Sequence, residues 1–135
     1  MLKTPKLKCR RGAVTVEMAL CLPVLFLVLF FSFEISRAYF VRQTLDDAAF
    51  AACRTIKVPG ATIAEAEAVV QTVLDQVGVK NYTTTITPST ITDATNSVTV
   101  TISAPMDQNM SLTTPFFKNK SLTATSTLKT ERYRN

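Results

Sequence analysis

From Ala13 to Phe33 the chain is apolar at nearly every position, and Glu17 is the only charge in the run. As a helix rising 1.5 Å per residue this segment spans roughly 31 Å, the hydrocarbon thickness of a bilayer. Pro23 lies in its first half and removes one backbone donor, which predicts a kink, not a break. Beyond the run, Ala38, Val41, Leu45, Ala48 and Ala52 recur at alternating steps of three and four, which marks one helical face. Arg37, Arg42, Gln43, Asp46, Asp47 and Arg54 fall largely off that face. No glycine or proline separates Pro23 from Pro59, so one helix is expected to leave the bilayer without stopping. Its alanine-rich stripe is narrow and suits close packing against another helix or a sheet.

Val58-Pro59-Gly60 ends the helix. Thr62 and Glu65 then have the spacing of a capping box. Ile63, Ala66, Val70, Val73 and Val77 repeat the helical period, and Gly78 stands where a helix stops. After it the period changes to two. Val98, Val100, Ile102 and Ala104 alternate with Ser97, Thr99, Thr101 and Ser103, the clearest strand of the chain. Tyr82, Thr84 and Ile86, closed by Pro88, predict a preceding strand, and Leu122, Ala124, Ser126 and Leu128 a following one. The expected fold class is therefore α+β. A long N-terminal transmembrane helix continues outside, followed by a second amphipathic helix and a small three-stranded antiparallel sheet. The expected division is a basic cytoplasmic leader over 1–12, a transmembrane helix over 13–33, its extracytoplasmic continuation over 34–57, and a small α+β domain over 58–135. The link from Pro105 to Lys120 carries Pro115-Phe116-Phe117, either a core plug or a membrane-facing contact.

Charge adds direction to this picture. The chain has 135 residues and a net charge of +5. Lys3, Lys6, Lys8, Arg10 and Arg11 all precede Gly12, and from Ala13 onward bases and acids cancel. The excess is thus a tail abutting an apolar run, an insertion signal that keeps the N-terminus inside and sends the rest across. With no basic face left, nucleic acid is not an expected partner. Cys9, Cys21 and Cys53 lie too far apart along the tail and helix to form a disulfide framework, and are read as unpaired. Without histidine or a C-x-x-C pair, zinc patterns are missing, and neither a cofactor nor a small-molecule substrate is expected. Asp75, Asp93 and Asp107 show no spacing that marks an acid/base pair, so an enzyme is not expected. The triplets beginning at Asn81, Asn109 and Asn119 match the glycosylation form, as a threonine-rich chain does by chance. Ser36-Arg37-Ala38 has the form of a signal-peptidase site, but the apolar run before it is too long for a signal peptide and Glu34 intrudes.

The most specific string is Arg10-Arg11-Gly12-Ala13-Val14-Thr15-Val16-Glu17, followed by Met18-Ala19-Leu20 and Leu22-Pro23. A basic leader, a glycine, and a glutamate fifth after it inside an apolar helix resemble the type IV prepilin class. The fuller string resembles the TadE-like family of tight-adherence (Tad) pilus pseudopilins in Arg11-Gly12, Val16-Glu17, Ala19 and Leu22-Pro23. Glu34, Arg37, Ala38 and Tyr39 resemble the family's segment just beyond the span. Met18 departs from the aromatic residue usual there. The resemblance covers about residues 10 to 40.

It implies a structural subunit of a pilus or secretion machine in the bacterial cytoplasmic membrane. A prepilin peptidase would cut between Gly12 and Ala13, removing the basic tail and leaving the helix. Glu17 would then pair with the new N-terminal amine of a neighbouring subunit. The implied partners are the membrane, other pilin or pseudopilin subunits, the peptidase and inner-membrane platform proteins. The residues alone also admit an unprocessed single-span adhesion or scaffold protein, with Gly12 a flexible joint and Glu17 reaching the headgroups.

Overall fold

The structure, a computed structural model, describes residues 10–92, 95–110 and 118–130, with side chains described from Gly12 onward. Lys3, Lys6, Lys8, Cys9, Asp93 and Pro115-Phe116-Phe117, together with the side chains of Arg10 and Arg11, lie outside the described residues.

Helix α1 runs unbroken from Arg10 to Lys57, 48 residues, straight through the position of Pro23, and is about 72 Å long. It begins three residues before the apolar run, so Arg10, Arg11 and Gly12 of the leader segment are already helical. Arg54 and Lys57 occupy its last turn, where cations offset the partial negative charge of free carbonyls. The chain then turns at Gly60, φ 86°, and enters α2, Ile63–Val77. The capping box forms as expected: the Glu65 amide donates to the Thr62 hydroxyl and the Thr62 amide to the Glu65 carboxylate. Gly78 ends the helix in the left-handed region, its amide donating to Asp75 and Leu74 carbonyls.

Three strands follow in sequence order: β1 Thr83–Thr87, β2 Ser97–Pro105 and β3 Ser121–Lys129, paired antiparallel with β2 central. Between β2 and β3 lies a single helical turn, α3, Met106–Asn109. So short an element carries no periodic signal along the chain.

Alternation sorts the sheet into two faces. Val98, Val100, Ile102 and Ala104 are buried, with Ala124 beside Ile102. On the outer face every row is hydroxylated: Thr83, Ser103 and Thr123; Thr85, Thr101 and Thr125; Thr87, Thr99 and Thr127. Hydroxyl pairs bridge β2 and β3 at Thr99–Thr127, 2.9 Å, and Thr101–Thr125, 3.2 Å. Threonine is therefore the solvated side of a half-buried sheet, its β-branch favouring the pleat.

The second half of α1 is the centre of the head, with α2 on one side and β2 and β3 on the other. This geometry makes its buried face wider than the narrow stripe expected. Val41, Leu45, Ala48 and Ala52 are buried, but so are Thr44, Ala49, Cys53 and Ile56, because two surfaces must be covered instead of one. In α2 the buried residues are Ala66, Val70 and Leu74. Leu74 replaces Val73 and Val77 of the expected stripe, which are only partly buried.

Candidate membrane anchor and assembly surface

The two halves of α1 live in different surroundings. From Val14 to Phe33 its large apolar side chains are exposed all round the helix; Val24 is 64% and Phe33 65% accessible. An all-round apolar surface suits neither water nor a one-sided core, only lipid or other apolar helices. It is the one helix among the described residues long and apolar enough to cross a membrane, with a mean hydropathy of 2.5 over its most apolar window. Ala13, Val16, Glu17 and Leu20 share one side of it, since residues three and four apart are neighbours on a helix. Glu17 stands four residues into the apolar run, about 6 Å along the axis.

Gly12 lies inside the helix, so it is not the flexible joint that the residues alone allowed. A Cβ at Gly12 would meet nothing within 4 Å. Packing thus gives no reason for a glycine, which lowers helix stability by about 0.5–1 kcal/mol relative to alanine.

Burial begins abruptly at Glu34, 3% exposed. One turn further, Arg37 Nε donates to the Asn109 backbone oxygen at 2.8 Å. Asn109, 2% exposed, holds three elements together. Its Oδ1 accepts from the Lys80 amide at 2.8 Å, and its Nδ2 donates to the carbonyls of Lys80, 3.0 Å, and Pro105, 2.8 Å. Sequence reasoning missed this clasp. An asparagine inside an apparent link carries no periodic mark, and only the fold brings it to Lys80 and Arg37. With both amide hydrogens engaged and the side chain buried, Asn109 has no free nitrogen for a glycan, in keeping with a chance triplet.

Cys53 is buried with its thiol directed at the Ser126 carbonyl, 3.2 Å, while Cys21 is exposed on the apolar helix. The two are unpaired, as expected. Burial, then the neighbouring Asp75 carboxylate, pushes the Tyr82 hydroxyl above its ordinary pKa.

These features define a single-span, membrane-anchored protein whose small α+β head is built around the distal half of its own anchor helix. Residues 12–54, about a third of the chain, are similar to the family model described as TadE-like protein. The match covers the anchor and the head's central helix and stops short of α2 and the sheet. No curated protein and no solved structure matches the chain.

Proposed function

We propose that the chain is a minor pilin- or pseudopilin-like structural component in the assembly of a Tad-type pilus or secretion apparatus. It would sit in the bacterial cytoplasmic membrane with its N-terminus inside and its head outside, until assembly draws it out. The observation that carries this reading is one continuous helix serving two roles: an all-round apolar anchor with a single acid, and the core of the head. A force or displacement applied to such a helix in the membrane moves the head with it, because no joint separates them.

In this reading a prepilin peptidase cuts between Gly12 and Ala13. Removing the tail also removes the charges of Lys3, Lys6, Lys8, Arg10 and Arg11 that hold the N-terminus at the cytoplasmic face, so the helix becomes free to leave the bilayer. Glu17 is then the costly residue: a carboxylate in the apolar run is unfavourable by up to roughly 2.5–3.5 kcal/mol at mid-bilayer. Pairing with the Ala13 amine of a neighbour offsets that cost only in the assembled state, and so favours one stacking register. The other partners of the reading are pilin subunits and the platform proteins of the inner membrane.

Intact-mass measurement of the membrane-extracted protein tests the processing: a species beginning at Ala13 is expected, and a chain retaining its leader would leave an unprocessed anchored scaffold. Glu17→Ala should preserve or improve insertion while sharply lowering fibre yield. Unchanged yield would remove the role given to Glu17.

A further inference from the structure

The fold gathers basic residues that are far apart in the sequence at the end of the head nearest the bilayer. The apolar run ends at Phe33, and Arg37 stands four residues beyond it, about 6 Å along α1. A headgroup layer is roughly 5–8 Å deep on each side of the hydrocarbon, so Arg37 lies at headgroup level. Two aromatic side chains mark the same level on the open side of the helix, Tyr39 at 71% and Phe40 at 59% accessible, as aromatic residues do at membrane interfaces. What is tied to Arg37 is therefore beside the membrane. Its Nε donates to the Asn109 backbone oxygen, and the Asn109 side chain bonds both the amide and the carbonyl of Lys80.

The strands bring two more bases to this end. Cys53, near the far end of α1, has its thiol against the Ser126 and Val98 carbonyls, 3.2 and 3.8 Å, whereas α3, directly after Pro105, meets Arg37. Strand β2 thus runs down α1 toward the bilayer, and β3 runs back up. Strand β3 begins at Ser121, paired with Pro105, and the Met106 amide donates to the Lys120 carbonyl at 2.8 Å. Lys118 and Lys120 flank Asn119, whose φ of 62° turns the chain into β3. Arg37, Lys80, Lys118 and Lys120 are all exposed. Among the described residues the acids at this end are Glu34, which is buried, and Asp107, half-buried with its Oδ1 sealed from water. The exposed acids lie farther from the membrane. Asp46 and Asp47 begin nine residues beyond Arg37, about 14 Å along α1, and Asp75 precedes Lys80 on a helix that descends toward the bilayer.

We infer that this basic end of the head binds the headgroups of anionic phospholipids in the leaflet it faces. The bilayer is the surface that the anchor itself brings against these residues, and anionic lipids supply the opposite charge. A lysine stem lays its apolar carbons along such an interface while its ammonium reaches a phosphate. Each base held near an anionic surface strengthens binding about fivefold. Lys80, Lys118 and Lys120 stand far beyond the roughly 15–20 residues next to a span that count toward its orientation. They therefore do not oppose the insertion signal of the leader, yet folding after insertion carries them to the opposite surface. The proposal needs only the membrane anchor, and neither processing nor fibre assembly.

The test uses the full chain in vesicles of mixed phosphatidylcholine and phosphatidylglycerol. The chain has no tryptophan, so Phe33→Trp puts a single fluorophore in the leaflet beneath the head. Lipids brominated in their acyl chains quench it only at close range. The bases of the leader, at the other leaflet roughly 30 Å away, do not register. In competition, brominated phosphatidylglycerol should be preferred over brominated phosphatidylcholine by at least about threefold. Lys80→Gln, Lys118→Gln and Lys120→Gln combined should bring that ratio to about one, and Lys80→Arg, Lys118→Arg and Lys120→Arg combined should keep the preference. The three side chains are exposed and Lys80 joins the clasp through its backbone alone. Neither set of changes threatens the fold, which resistance of Cys53 to a maleimide checks. Equal quenching by the two lipids in the parent protein would overturn the proposal and leave this end of the head to an acidic protein partner. A preference that survives the three Gln changes, or is lost with the three Arg changes, would also overturn it.

Discussion

Asn109→Ala should loosen the head from its anchor while leaving the anchor in the membrane. The Asn109 side chain makes three hydrogen bonds of 2.8–3.0 Å at 2% exposure, two to the Lys80 backbone and one to Pro105. A buried neutral hydrogen bond contributes about 1 kcal/mol net, and partners left unpaired raise the loss. Lys80 is itself exposed, so water reaches part of its backbone and holds the total to about 2–3 kcal/mol, roughly 30- to 150-fold in the folding equilibrium. Asn109→Asp separates polarity from packing. It keeps the shape and the acceptor but points a carboxylate oxygen at two carbonyls, and should destabilise at least as much. A guanidinium titration of the full chain in detergent, followed by tyrosine near-ultraviolet circular dichroism, reads the head through half-buried Tyr82. Far-ultraviolet signal would not serve, since the micelle sustains α1. A loss below about 0.5 kcal/mol, the range of an ordinary surface substitution, would refute the clasp.

Gly78→Ala should lower stability by about 1 kcal/mol. Its φ of 73° is left-handed and a Cβ would meet nothing within 4 Å, so the effect is backbone strain alone; an unchanged midpoint in the same titration would refute it. Tyr82 titrates later in the folded head than in the unfolded chain, whose ordinary value is 10.0. Its contribution is therefore complete below pH 10 and lost as pH rises through the folded value. Tyr82→Phe should flatten that alkaline fall in stability, and an identical pH profile would count against the burial of the hydroxyl. Cys53 should resist a maleimide in the folded head and react once guanidinium unfolds it. Equal rates in the two states would contradict the packing of α1 on the sheet.

Much of the fold was legible because its signals are local. The apolar run, the Thr62–Glu65 box, the stop at Gly78 and the alternation from Ser97 to Ala104 each need only a few neighbouring residues to be recognised. The residues given the proposed processing and assembly roles, Gly12, Ala13 and Glu17, also lie within one short string, and the TadE-like match begins there. The widening of the α1 stripe to Thr44, Ala49, Cys53 and Ile56 was not legible. A helix pattern records that a face is covered, but not that α2 covers one flank and β3 the other.

By itself the sequence determined the element types, their order, and the segment that must avoid water, since these follow from periodicity, capping and continuous apolarity. Tertiary structure alone decided that Leu74 replaces Val73 at the α2 contact, that Glu34 is buried where the head begins, and that Asn109 ties Lys80, Pro105 and Arg37 together. Those outcomes depend on surfaces that meet from distant parts of the chain. Burial and hydrogen bonding are properties of the pair of surfaces, and neither surface carries the record of its partner in its own spacing.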